Sequence, residues 1–184
     1  MVTVEALNAE GYSVPSLQNT IGAVVQVRPH TPPAAPRRGD LTTESTIDVV
    51  FDPATKTGGS PITTYEIWMD SGSGFRAVSS SPLLVSPATI TTDITSGVSR
   101  LFKFRASNVH GWSDFSPSFA IVAATIPTAP LNPRSSVQNL STRAYFQWDF
   151  PTNSGGVGVP YTAFKVFIQK SDGLTFSEVP NTVG

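Results

Sequence analysis

An all-β chain, a row of repeated two-sheet sandwiches, is predicted by three observations. Apolar and polar residues alternate at period two in the clearest apolar segments, 16 Pro and 14 Gly punctuate the 184 residues, and two stretches 100 residues apart follow nearly the same pattern. Successive side chains of a strand point to opposite faces, so period two marks a sheet with one buried face. No segment of ten or more residues holds a 3.6-residue period free of Gly, Pro or β-branched clusters, which argues against helices.

The elements follow in order. Residues 2–16 superpose on 102–116 with Ala6 on Ala106, Asn8 on Asn108, Gly11 on Gly111, Tyr12 on Trp112, and Ser13 and Ser16 on Ser113 and Ser116. An opening hairpin is therefore expected to mirror a later one. Ile47, Val49 and Phe51 then alternate with Thr46, Asp48 and Val50; Tyr65, Ile67 and Met69 with Glu66, Trp68 and Asp70; Phe102, Phe104 and Ala106 with Lys103, Arg105 and Ser107. Gly58-Gly59-Ser60-Pro61, Ser71-Gly72-Ser73-Gly74 and Val109-His110-Gly111 supply the reversals between them.

Further on, Trp148-Asp149 and Gly155-Gly156 match Phe51-Asp52 and Gly58-Gly59 at a shift of 97. Pro160, Phe164, Val166 and Ile168 match Pro61, Tyr65, Ile67 and Met69 at 99, and Phe176 and Val179 match Phe75 and Val78. Three copies of one unit are thus expected: the end of one in 1–27, a complete one in 28–126, and the beginning of another in 127–184. Counterparts of Leu84 to Arg100 fall in neither partial copy, so the chain reads as a cut from a longer array. The linker starting at Val27 reads as six residues longer than the one at Ile126-Pro127, with Pro33-Ala34-Ala35-Pro36 aligned on Pro127-Thr128-Ala129-Pro130.

These residues resemble the fibronectin type III family. The signs are the Pro33 to Pro36 lead-in, Phe51-Asp52-Pro53, Gly58-Gly59-Ser60-Pro61-Ile62-Thr63-Thr64-Tyr65, and the run Phe104 to Ser113, which looks like the family's F strand and F-G turn. The third copy repeats the lead-in and carries Trp148, the aromatic the family places in the core from strand B. The resemblance implies tandem immunoglobulin-like sandwiches. It also exposes two departures: Arg100 stands where the family has a corner tyrosine, and Phe51 where it has a tryptophan.

Candidate interaction residues come from the outward positions. Trp112-Ser113-Asp114-Phe115-Ser116 resembles the Trp-Ser-x-Trp-Ser box of cytokine receptor domains, in which the indole stacks between basic strand-F side chains; Lys103 and Arg105 are the expected partners. Trp68 and its counterpart Phe167 point away from the core, either to receive a neighbour or, at Trp68, to lie under the stems of Lys103 and Arg105. Arg38-Gly39-Asp40 spells a tripeptide read by adhesion receptors, a short motif that also arises by chance. Asn139-Leu140-Ser141 is the one Asn-x-Ser/Thr acceptor for a glycan.

Composition narrows the function. Charged residues are 14%, net charge is −1, and 43 Ser and Thr dominate the polar surface, so no basic footprint calls for nucleic acid. The two histidines lack metal-ligand spacing, Cys is absent, and no phosphate loop or nucleophile elbow occurs, so neither catalysis nor a cofactor is expected. No apolar run approaches a membrane span. The expectation is a non-catalytic structural or adhesive module, extracellular or at the cell surface, from a rod- or fibre-forming repeat protein. Its partners would be neighbouring repeats, other copies in a fibre, or glycans. The alternatives are a receptor ectodomain and a spacer of a secreted carbohydrate-active enzyme.

Overall fold

The computed structural model describes residues 1–137 and 144–180, and those residues form strands and turns with no helix. A short hairpin opens the chain, β1 (Leu7–Asn8) with β2 (Gly11–Tyr12). The middle unit follows with β3 (Arg37–Arg38), β4 (Ile47–Val50), β5 (Thr64–Asp70), β6 (Phe75–Ala77), β7 (Ala88–Ile90), β8 (Ser99–Asn108), β9 (Gly111–Trp112) and β10 (Phe119–Val122). Its sheets run β3-β4-β7 and β10-β8-β5-β6, with β9 folded back on β8, and every pairing is antiparallel. This is a two-sheet sandwich of the kind the sequence implies.

The alternation puts its apolar set inside. Ile47 and Val49 from one sheet meet Tyr65, Ile67, Met69, Phe102, Phe104 and Ala106 from the other, all buried. Phe51 lies 4.9 Å from the Tyr65 ring and 5.1 Å from that of Phe104. The Tyr65 hydroxyl accepts the Ala54 amide at 2.9 Å. Each fully buried aromatic or branched aliphatic here stabilises the sandwich by roughly 1.5–3 kcal/mol.

Arg100 replaces the absent tyrosine corner in function as well as position. Its guanidinium donates to the carbonyls of Asp93, at 3.3 Å, and Ser71, at 3.2 Å, so it ties the start of β8 to the backbone just upstream and to the β5–β6 turn. The aromatic corner uses one hydroxyl for this task. The fork of arginine reaches two carbonyls at once.

The repeat is written into the hydrogen bonds. Ser113 N donates to Ala106 O, and Ser116 N to Phe104 O, both at 2.8 Å; the Ser113 and Ser116 hydroxyls accept the Ala106 and Phe104 amides, each at 3.1 Å. One hundred residues earlier, Ser13 and Ser16 make the same bonds with Ala6 and Val4. In each case hydroxyls spaced three apart complete a strand edge that a regular partner strand leaves unpaired.

The last segment holds β11 (Leu131–Val137), β12 (Ala144–Asp149), β13 (Phe167–Gln169) and β14 (Phe176–Glu178), paired β11 with β12 and β13 with β14. Phe176 stands opposite Gln169 as Phe75 stands opposite Asp70, and Trp148 packs 5.5 Å from Phe164 as Phe51 packs on Tyr65.

The linkers correct one expectation. Val27 N donates to Gly58 O and His30 N to Lys56 O; at the next junction Thr125 N donates to Gly155 O and Thr128 N to Asn153 O. Val27 is therefore equivalent to Thr125, and the first linker exceeds the second by two residues, not six. The matching lead-in to Pro127-Thr128-Ala129-Pro130 is Pro29-His30-Thr31-Pro32, one proline frame earlier than the sequence suggested. Both junctions require a glycine. A Cβ on Gly58 would lie 2.2 Å from Val27 O, and one on Gly155 would lie 2.2 Å from Thr125 O, with both backbones at positive φ.

Candidate interaction surface

The outer face of the β10-β8-β5-β6 sheet carries the densest cluster of aromatic and charged side chains on the middle unit. Pairing sets Trp68 opposite Lys103 and Glu66 opposite Arg105. The Arg105 guanidinium lies 4.5 Å from the Trp112 ring centre, 4.7 Å from Phe115 and 5.3 Å from Trp68, while donating to Glu66 at 2.7 and 2.9 Å. Lys103 Nζ sits 4.0 Å from the Phe75 centre and 4.2 Å from Phe115. Phe115 meets Trp68 edge to face at 5.1 Å.

These contacts form one stack in which Lys103 lies over the Phe75 and Phe115 rings and Arg105 over Phe115, Trp68 and Trp112, each cation held by ring faces whose quadrupoles attract it. The Glu66–Arg105 pair is screened from water, with side chains 24% and 22% exposed, so it is stronger than an ordinary surface ion pair. The charged ends of Arg105 and Lys103 lie 5.3 and 5.9 Å from the Trp68 ring centre, and Phe115 adds a ring contact that the sequence did not single out. The signal for Phe115 was its place three residues after Trp112, between the two serines that hold its segment against β8.

Phe167, the counterpart of Trp68, is 54% exposed on β13. Arg38-Gly39-Asp40 lies at the end of β3, not at a protruding hairpin tip: Arg38 donates to Ala124 O at 2.6 Å, Gly39 N pairs with Asp48 O at 2.7 Å, and Asp40 is exposed. The glycine has a packing reason, since a Cβ there would lie 2.2 Å from Asp48 Oδ2. Asn139 lies outside the described residues. Among the described residues no group of three or more His, Asp or Glu side chains is arranged to hold a metal ion.

A cleft of about 920 Å³ in the last segment is lined by Phe146, Trp148, Phe150, Tyr161 and Phe164. Large apolar concavities are the default ligand sites. Here Trp148 and Phe164 are the counterparts of buried Phe51 and Tyr65, so the cleft corresponds to the face that the middle unit buries in its core. Asp149 at its border donates nothing and accepts Asn132 and Arg134; these bonds, Asn132 foremost, hold its carboxyl below the ordinary 3.8.

No family model matches the sequence. Among solved structures, a set of domains from titin aligns at TM-score 0.44 and 17% identity, covering 53% of this chain and 32% of that one. The twitchin kinase region from C. elegans aligns at 0.42 and 22% identity, covering 50% and 16%. The sixth fibronectin type III domain of human fibronectin type III domain containing protein 3 aligns at 0.44 and 16% identity, covering 60% and 99%. The chain spans about a third or less of the titin and twitchin structures it matches.

Proposed function

We propose that this chain is a non-catalytic segment of a longer tandem array, in which residues 1–27 and 127–184 belong to units like 28–126 and the array acts as a structural or adhesive spacer outside the cell. The observation that carries the reading is the junction made twice: linker amides at Val27 and His30, then at Thr125 and Thr128, donate to the carbonyls of the glycine turn in the unit that follows. A protein whose function is reach gains from a connection that repeats with its units. The charge-poor surface rich in Ser and Thr, the Asn139 acceptor and the self-contained aromatic stack fit a passive surface better than a catalytic one. Neighbouring repeats are the first partners of such a unit, with other copies and glycans as further ones.

The test is electron microscopy of the natural full-length product, with immunolabelling of intact cells. A rod whose length rises in proportion to its number of units, reachable by antibody on unbroken cells, is the expected result. A compact particle, or label confined to the interior of permeabilised cells, would sink it.

A further inference from the structure

Linker proline restricts rotation but leaves the orientation of successive units open. The second junction adds contacts that do not involve the linker. Asn153 Nδ2, just before the glycine turn of the last segment, donates to Glu44 Oε1 of the middle unit at 2.7 Å. Gly156 lies against the same place: a Cβ there would be 2.3 Å from Ser96 Oγ and 3.2 Å from Glu44 Cγ. On the receiving side, a Cβ on Gly97 would be 2.4 Å from Val157 O. Gly97 N is meanwhile fixed to Ala123 O at 2.9 Å, at the end of the last middle-unit strand.

We propose that Glu44, Ser96 and Gly97 form the receiving face of a head-to-tail joint that holds the glycine turn of the next repeat, Asn153 to Val157, in one orientation. The middle unit carries the complementary part at its other end. Its own turn, Gly58-Gly59, takes the incoming linker: Gln26 Nε2 donates to Gly59 O at 3.1 Å, and Asn108 Nδ2 donates to both Val27 O, at 2.7 Å, and Thr57 O, at 2.8 Å. One unit thus has a donor end and a receiving end that differ. Such a heterologous contact, repeated with a rotation that does not close a ring, generates an open helical rod. The inference rests on the tandem-array reading and deepens it, because it names the next repeat as the partner of this surface and makes the joint stiff.

The chain has no Cys, so two labels are introduced cleanly. Ser73→Cys and Ser171→Cys place spin labels on exposed turns of the middle and last segments, and pulsed dipolar spectroscopy on the 184-residue chain reads the distance between them. A single narrow distribution is expected, together with slowed exchange of the Thr125 and Thr128 amides. Ser96→Tyr and Glu44→Ala, both on the receiving face and free of backbone strain, should broaden or displace that distribution and speed exchange of the two amides at least tenfold. The thermal transition of the middle unit should stay within a few degrees, which shows that the variants fold. A broad distribution in the parent, or an unchanged one in Ser96→Tyr, overturns the joint. Rods that still lengthen with added units would then leave the spacer reading intact, whereas compact arrays would end both.

Discussion

Single residues in this protein act by reaching across the sandwich, Arg100 and Trp68 foremost. Arg100→Leu keeps the aliphatic packing and removes the donors to Asp93 and Ser71; at 3.3 and 3.2 Å, with the first exposed to solvent, the two bonds count as ordinary ones at about 0.5–1.5 kcal/mol each, an expected loss of roughly 1–3 kcal/mol in urea unfolding. A loss below half a kcal/mol would mean that the corner needs no tie. Trp68→Ala opens the middle of the cation and aromatic stack. Its half-buried ring should cost roughly 2 kcal/mol of stability, with sedimentation unchanged; a fall in lateral association without loss of stability would restore Trp68 as an intermolecular contact. The outward direction of Trp68, Lys103 and Arg105 was legible, since alternation alone assigns a face. That Phe75 and Phe115 join them was not, because both come from other elements whose approach only the packed sheet creates.

At the scale of elements, the serine-spaced edge and the turns carry the testable consequences. Ser116→Ala leaves the Phe104 amide without its acceptor in a buried position. An unmade buried hydrogen bond costs about 1–3 kcal/mol, so guanidinium unfolding should show a drop of that order; Ser16→Ala, at an exposed site where water takes over, should show far less. The turn between β13 and β14 supplies a pH test. Asp172 accepts the Thr175 hydroxyl and the Thr175 and Leu174 amides, and these bonds, the hydroxyl first, lower its carboxyl below the ordinary 3.8. A lowered folded value means that the cap is fully present above about 3.8 and is lost as pH falls through the lower one. The Thr175 and Leu174 amide resonances should therefore titrate with a midpoint under 3.8; a midpoint at or above it would show that the turn does not hold the carboxylate.

For the whole molecule the governing feature is a connection that recurs. Gly58→Val puts a branched side chain where Val27 O already lies, at a backbone angle that L-residues resist. It should free the linker, seen as faster exchange of the Val27 and His30 amides and a larger radius spread in small-angle scattering, while the core around Phe51, Phe102 and Phe104 keeps its protection. Unchanged exchange at those two amides would show that the turn is not what holds the linker.

The repeat, the strand faces and the inward set of apolar residues were determined by the amino-acid order itself. Each is a local pattern: a period of two sorts side chains onto two faces wherever the strand sits, and a shift of 100 brings Ser13 and Ser16 onto Ser113 and Ser116 with their bonds unchanged. The tertiary structure alone decided the proline frame, the work of Arg100 and the closure of the aromatic stack. Pro29-His30-Thr31-Pro32 and Pro33-Ala34-Ala35-Pro36 are equivalent as patterns, and only the amide that meets Gly58 O distinguishes them. Long-range hydrogen bonds and ring contacts depend on where two distant backbones come to rest, and one-dimensional spacing does not carry that distance.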